Sequence, residues 1–151
     1  MDELDRRILT RLQVDSGRPV AALADEVGLS TSACHRRVRL LEEKGLVAGY
    51  AARLNPEALG LTIEVFVDIS LSGQDEKTLA VFEKAVERQP EILECWLTAG
   101  RADYHLHIMA RDMGDYDRIH RHVLSRLPGV ASMHTRFALR RIKPFRGYPV
   151  A

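Results

Sequence analysis

Val20–Tyr50 reads VAALADEVGLSTSACHRRVRLLEEKGLVAGY. Val20, Leu23, Ala24 and Val27 recur at helical spacing, and Gly28 follows where the chain needs a left-handed backbone to turn. Ser30 is placed as the N-cap of a second helix, with Thr31 or Ser32 as one-residue alternatives, and this helix is expected to run to about Lys44. On a helical wheel Cys34, Val38 and Leu41 form one stripe, while Ser32, Arg36, Arg39 and Glu43 project from the opposite side. A helix, a tight glycine turn and a basic helix is the arrangement that lays one helix into the major groove of double-stranded DNA.

The wheel separates the basic side chains by role. Ser30, Thr31, Ser32, Arg36 and Arg39 are the candidate DNA contacts, with His35 on the flank within reach of a base edge or a phosphate. Arginine grips guanine bidentately or sits on a phosphate, and short hydroxyls allow close approach. Arg37 points towards the buried stripe and is expected to anchor on a carboxylate of the first helix such as Asp5. A merely solvated amphipathic helix is disfavoured because the turn glycine, the cap and the acid-free run from Leu29 to Leu41 agree with one another. Leu46, Val47, Gly49, Tyr50 and Ala51 suggest a small wing. A first helix from about Leu4 to Val14, with Leu4, Ile8, Leu9 and Leu12 on one face, completes a three-helix unit.

At 151 residues the chain has room for two small domains, and no apolar run approaches a membrane span or a signal segment, so a cytoplasmic protein is expected. Cys34 and Cys95 each lie on an apolar stripe and read as reduced core thiols. The net charge is only +1, and residues 1–60 hold nine basic and nine acidic side chains. Phosphate neutralisation supplies most non-specific affinity, so one copy should bind weakly and several copies on one DNA should be needed.

After the connector LNPEALG the pattern changes. Leu61, Ile63, Val65, Val67, Ile69 and Leu71 alternate as a strand, and a helix follows with Leu79, Phe82 and Val86 inward. Ile92–Ala99 and Tyr104–Ala110 read as a hairpin, Asp112 caps a helix carrying Tyr116, Ile119, Val123 and Leu127, and a last strand is expected from about Val130 to Arg141. The fold class is therefore α+β: a three-helix, winged-type helix-turn-helix domain at 1–54, a linker at 55–61, a βαββαβ ferredoxin-like domain at 62–143, and a tail at 144–151 read as either a flexible arm or an interface segment. Both helices of a βαββαβ unit cover one sheet face. The other face carries Thr62, Glu64, Phe66, Asp68 and Ser70 and is best buried against a second copy, so at least a homodimer is expected.

This combination resembles the leucine-responsive regulatory protein family, the Lrp/AsnC or feast/famine regulators, over nearly the whole chain. The residues that carry the resemblance are LDRRIL, VGLS…C..RV..LE..G.V.GY, ECWLTAG, the loop GRADY and LPGV followed by a Thr-containing strand. The resemblance implies a transcription regulator with a RAM-type second domain that dimerises and often forms octamers. It also implies a small-molecule effector, most often an amino acid, held by the loop Gly100, Arg101, Ala102, Asp103 and Tyr104 and by the strand bearing Thr135. Backbone N–H groups at 100–102 could serve an effector carboxylate and Asp103 its ammonium, although Gly100 and Asp103 also suit a plain hairpin turn. No cofactor and no catalytic or metal residues are expected. His105 and His107 share one strand face, but His120 and His122 are about 200° apart on their helix. Two alternatives stand beside this reading: an effector-independent nucleoid-architectural protein, and an enzyme similar to the siroheme decarboxylases built around His105, His107, His134, Arg136, Arg140 and Arg141. The exposed basic helix argues against the enzyme.

Overall fold

The computed structural model describes residues 1–150. The chain divides into two compact units, Met1–Arg53 joined by 142–150, and Leu54–Arg141. We call the first the head.

The head holds α1 (Glu3–Val14), α2 (Val20–Val27) and α3 (Thr31–Glu43). Asp2 and Asp5 form a reciprocal capping box at the start of α1. Gly28 ends α2 at φ +74°, and the Leu29 N–H donates back to the Ala24 carbonyl at 2.9 Å, closing the turn that only a residue without Cβ makes without strain. Ser30 then caps α3, its Oγ accepting from the Ala33 N–H at 3.3 Å. The core is Ile8, Leu9, Leu23, Ala24, Val27, Cys34 and Leu41. These are the apolar stripes of three short helices, none of which would persist without the others.

The expected wing does not form a hairpin: 46–53 contains no strand. Leu46 and Val47 lie in bends, Gly49 sits at φ +158°, and the head has no strand for this stretch to pair with.

The second unit runs β1 (Ile63–Leu71), α4 (Glu76–Val86), β2 (Ile92–Leu97), β3 (Tyr104–Ala110), α5 (Met113–His122) and β4 (Val130–Phe137), with short 3₁₀ turns at Glu57–Leu59 and Leu124–Arg126. The sheet is antiparallel in the order β2-β3-β1-β4. Val65, Val67, Ile69 and Leu71 of β1 are buried with Leu106 and Ile108 of β3 against Phe82, Ile119 and Leu124. The period-two alternation of β1 thus sends one set of side chains to the helices and leaves Glu64, Phe66 and Asp68 on the open face. The last strand stops at Phe137, short of the expected Arg141. Phe137 pairs with Val65, which leaves only Glu64 and Ile63 of β1 beyond it; the Ala138 N–H still donates to the Glu64 carbonyl, and 140–141 have no β1 residue opposite them. Among the described residues no helix is long and apolar enough to cross a membrane.

Candidate DNA-reading helix and effector loop

On α3 the three arginines have different surroundings. Arg37 is half-buried, and its Nη1 donates to Asp2 Oδ2 and Asp5 Oδ1, both at 2.7 Å. The Asp2 carboxyl is held below its ordinary range, first by the Asp5 N–H and then by Arg37, and the Arg37 guanidinium is pushed up in turn. This cation therefore ties α3 to the start of α1, as its position on the wheel predicts. Arg39 is exposed and its Nε donates to Glu43 at 3.0 Å, one turn on. Arg36 and His35 are exposed and make no side-chain hydrogen bond or ion pair among the described residues.

Ser30, Thr31 and Ser32 stand exposed at the start of the same helix, with Ser30 and Ser32 hydroxyls 3.3 Å apart. The helix thus offers an incoming phosphate its N-terminal N–H groups and a guanidinium already free, while Arg39 must first leave Glu43. Tyr50, past the end of α3, donates its hydroxyl to Glu42 at 2.6 Å. Burial first, then Glu42, pushes its phenol up to about 12. That bond ties the still exposed Tyr50 to α3, and no sequence signal announces it.

The loop between β2 and β3 is built differently. The Thr98 N–H and Oγ1 donate to the Asp103 and Ala102 carbonyls, at 2.8 and 2.9 Å. Asp103 does more than turn the hairpin: Oδ2 accepts from the Leu71 N–H and Oδ1 from Gln74 Nε2, both at 2.7 Å, while its own N–H donates to the Ile69 carbonyl at 2.9 Å. It pins the loop to the end of β1. Tyr104 is a core residue, stacked obliquely on Phe82 with its hydroxyl donating to Glu83 at 2.7 Å, and burial followed by Glu83 pushes its phenol well up. Thr135 lies on β4, with β1 between it and β3, and its Oγ1 is 2.6 Å from the Tyr116 hydroxyl. One chain therefore does not gather Gly100, Arg101, Ala102, Asp103, Tyr104 and Thr135 into a single pocket. What the loop leaves available is the exposed Arg101, which makes no side-chain bond among the described residues, and the backbone around Gly100, at φ +156°.

The open sheet face is charged and aromatic. Asp68 accepts from Arg136 at 2.9 Å and lies 2.7 Å from His105 Nδ1, and His105 foremost, with Arg136, holds its carboxyl down. Burial raises the Glu64 carboxyl, but Arg141 and His107, the latter 3.0 Å away, outweigh it and the net shift is downward. Phe66 stacks between the two imidazoles at 5.4 and 5.0 Å, and Trp96 lies 5.9 Å from His105. Both imidazoles face carboxylates, and His105 Nδ1 also lies 3.5 Å from Arg136 Nη2.

Comparison with known proteins agrees with both halves. Family models match residues 1–42 as the AsnC-type helix-turn-helix domain and residues 64–148 as the Lrp/AsnC ligand binding domain. The chain is 38% identical over 143 residues to the leucine-responsive regulatory protein of Escherichia coli K12, covering 95% of this chain and 87% of that one. It is 40% identical over 139 residues to the proline dehydrogenase transcriptional activator of Rhodobacter capsulatus, covering 92% and 90%. Among solved structures, a transcriptional regulator of Neisseria meningitidis in complex with L-methionine superposes with a TM-score of 0.94 at 32% identity, covering 99% of this chain and 96% of that one. With the α3 face, the βαββαβ unit and these likenesses together, the chain belongs to the Lrp/AsnC family of transcriptional regulators.

Proposed function

We propose that this regulator reads DNA through Ser30, Thr31, Ser32, His35, Arg36 and Arg39, acts as a homo-oligomer in the cytoplasm, and responds to an amino acid rather than catalysing a reaction. The observation that carries the DNA assignment is the division of labour on α3. Arg37 is tied into the fold by Asp2 and Asp5, while its neighbour Arg36 stands exposed and unpaired among the described residues on the face of the capped helix start.

Self-association uses the open sheet face. Phe66 and Trp96 sit there beside paired carboxylates and cations, with Trp96 45% exposed, and a second copy would withdraw this aromatic surface from water. The effector reading rests on Arg101 and the backbone of 100–102 as donors for a carboxylate, and on the L-methionine complex of the Neisseria relative. Both Asp103 oxygens already accept internal bonds, so Asp103 positions the loop and a neighbouring copy supplies groups around the rest of the ligand. Assembly and effector response are then one equilibrium, in which ligand bound between copies favours one arrangement of heads.

The test is selection of duplexes from a random-sequence library, followed by a thermal-shift screen of the twenty amino acids with light scattering on each hit. A recovered motif, and an amino acid that stabilises the protein and changes its assembled size, are expected. Recovery of no motif would favour architectural binding, and stabilisation by no amino acid would remove the effector reading.

A further inference from the structure

Residues 142–150 follow the second unit in sequence yet pack with the head. Their attachment is specific and sparse. The Gln13 side chain, near the end of α1, pairs with both backbone groups of Tyr148: its Nε2 donates to the carbonyl at 3.1 Å, and its Oε1 accepts from the N–H at 2.5 Å. Arg53 Nη2 donates to the Phe145 carbonyl at 3.0 Å, and Val150 packs against the head core. Gly147 adopts φ +121°, and a Cβ there would lie 2.5 Å from Gln13 Oε1 and 3.0 Å from Gln13 Cβ, so the segment crosses α1 only because 147 has no side chain.

The segment is nonetheless barely buried. Ile142, Phe145 and Tyr148 are 77%, 62% and 75% exposed, and an open groove of about 920 Å³ remains beside it, lined by Leu9, Leu12, Val14, Leu46, Tyr50 and Val150. Three backbone-directed hydrogen bonds and one apolar side chain hold a stretch with this much exposed apolar surface, which suits a contact made to be released.

We propose that 142–150 is a releasable strap that sets how freely the head is carried. The chain leaves the head at 53–54 and returns at 141–142, so a seated strap anchors the head through two crossings and an unseated strap through one. With the strap seated, paired heads accept only DNA whose half-sites are correctly spaced around the helix. Once it is released, each head searches independently and tolerates other spacings.

The test uses the full-length protein, Gly147→Val and Gln13→Ala, with hydrogen exchange at the Tyr148 amide and binding to a duplex selected from a random library by the wild type. Both variants should speed exchange at Tyr148 at least about tenfold while binding an isolated half-site as the wild type does. A 5-base-pair insertion between half-sites turns them to opposite sides of the duplex. It should weaken wild-type binding at least about tenfold, and variant binding by less than about threefold. Variants that lose as much affinity as the wild type on insertion, or a wild type indifferent to it, would overturn the strap. Loss of half-site binding in both variants would do so as well, since 142–150 would then be a fixed part of the head.

Discussion

The head and the second unit present their functional residues in opposite ways. On α3 the candidate DNA-facing set is exposed and mostly unengaged: Arg36 and His35 have no side-chain partner among the described residues and Arg39 has only a neighbour one turn away. In the second unit the residues that family resemblance assigns to an effector are largely used inside the chain, Asp103 by Leu71 and Gln74, Tyr104 by Glu83 and the core, Thr135 by Tyr116. A DNA phosphate arrives with its own charge and needs only an exposed cation. A small ligand needs a cavity, and one chain does not gather these residues into one. Under the proposed function, α3 carries its DNA-facing set within one protomer, whereas the effector site draws on more than one copy.

Damage to one core tests whether the other depends on it. Phe82 is fully buried in the second unit, and Phe82→Ala should cost about 3–5 kcal/mol there. Calorimetry of the full-length variant should show the second unit melting early while the head keeps its own transition. A single transition shifted as a whole would mean that the two cores are one cooperative body.

A smaller effect is expected at the loop. Asp103→Ala leaves the Leu71 N–H without its acceptor and should destabilise the second unit by about 1–3 kcal/mol, visible in urea melts, whereas Asp103→Asn keeps an acceptor and should cost less. Equal stability of Ala and wild type would return Asp103 to the role of a free ligand group.

Smaller still is a pH effect confined to the second unit. The Asp115 carboxyl is held well below its ordinary value of 3.8 by the Arg111 side chain first, then the Arg111 N–H and Arg118. A carboxyl depressed in the fold contributes stability that is complete above its unfolded value and lost as pH falls towards the folded one. Asp115→Asn should therefore melt below the wild type at neutral pH, and the gap should narrow as pH drops below about 4. A gap that widens on acidification would contradict the assignment.

Much of this was legible in the sequence where the signal is local. Gly28, the Ser30 cap, the stripe Cys34–Val38–Leu41 and the alternation of β1 all act within one or two turns of the chain, and the separate placement of Arg36 and Arg37 follows from the same wheel. What was not legible depends on distant partners. The end of β4 is set by where β1 begins. The expected wing lacks a second strand. Asp103 looks like a turn residue until Leu71, 32 positions earlier, donates to it. The strap carries no periodicity at all, and its seat on Gln13 spans 135 positions.

In the proposed function adjacent arginines on one helix do different work, Arg36 on DNA and Arg37 on the fold. The most direct test of this division is to measure thermal stability and the salt dependence of DNA binding side by side for Arg36→Ala and Arg37→Ala. Arg36→Ala should keep the wild-type melting temperature, weaken binding about tenfold at low salt, and reduce the slope of log affinity against log salt by about one. Arg37→Ala should lower the melting temperature of the head and leave that slope unchanged under conditions where it is folded. If Arg36→Ala binds as tightly as the wild type with an unchanged slope, α3 does not meet DNA through this face.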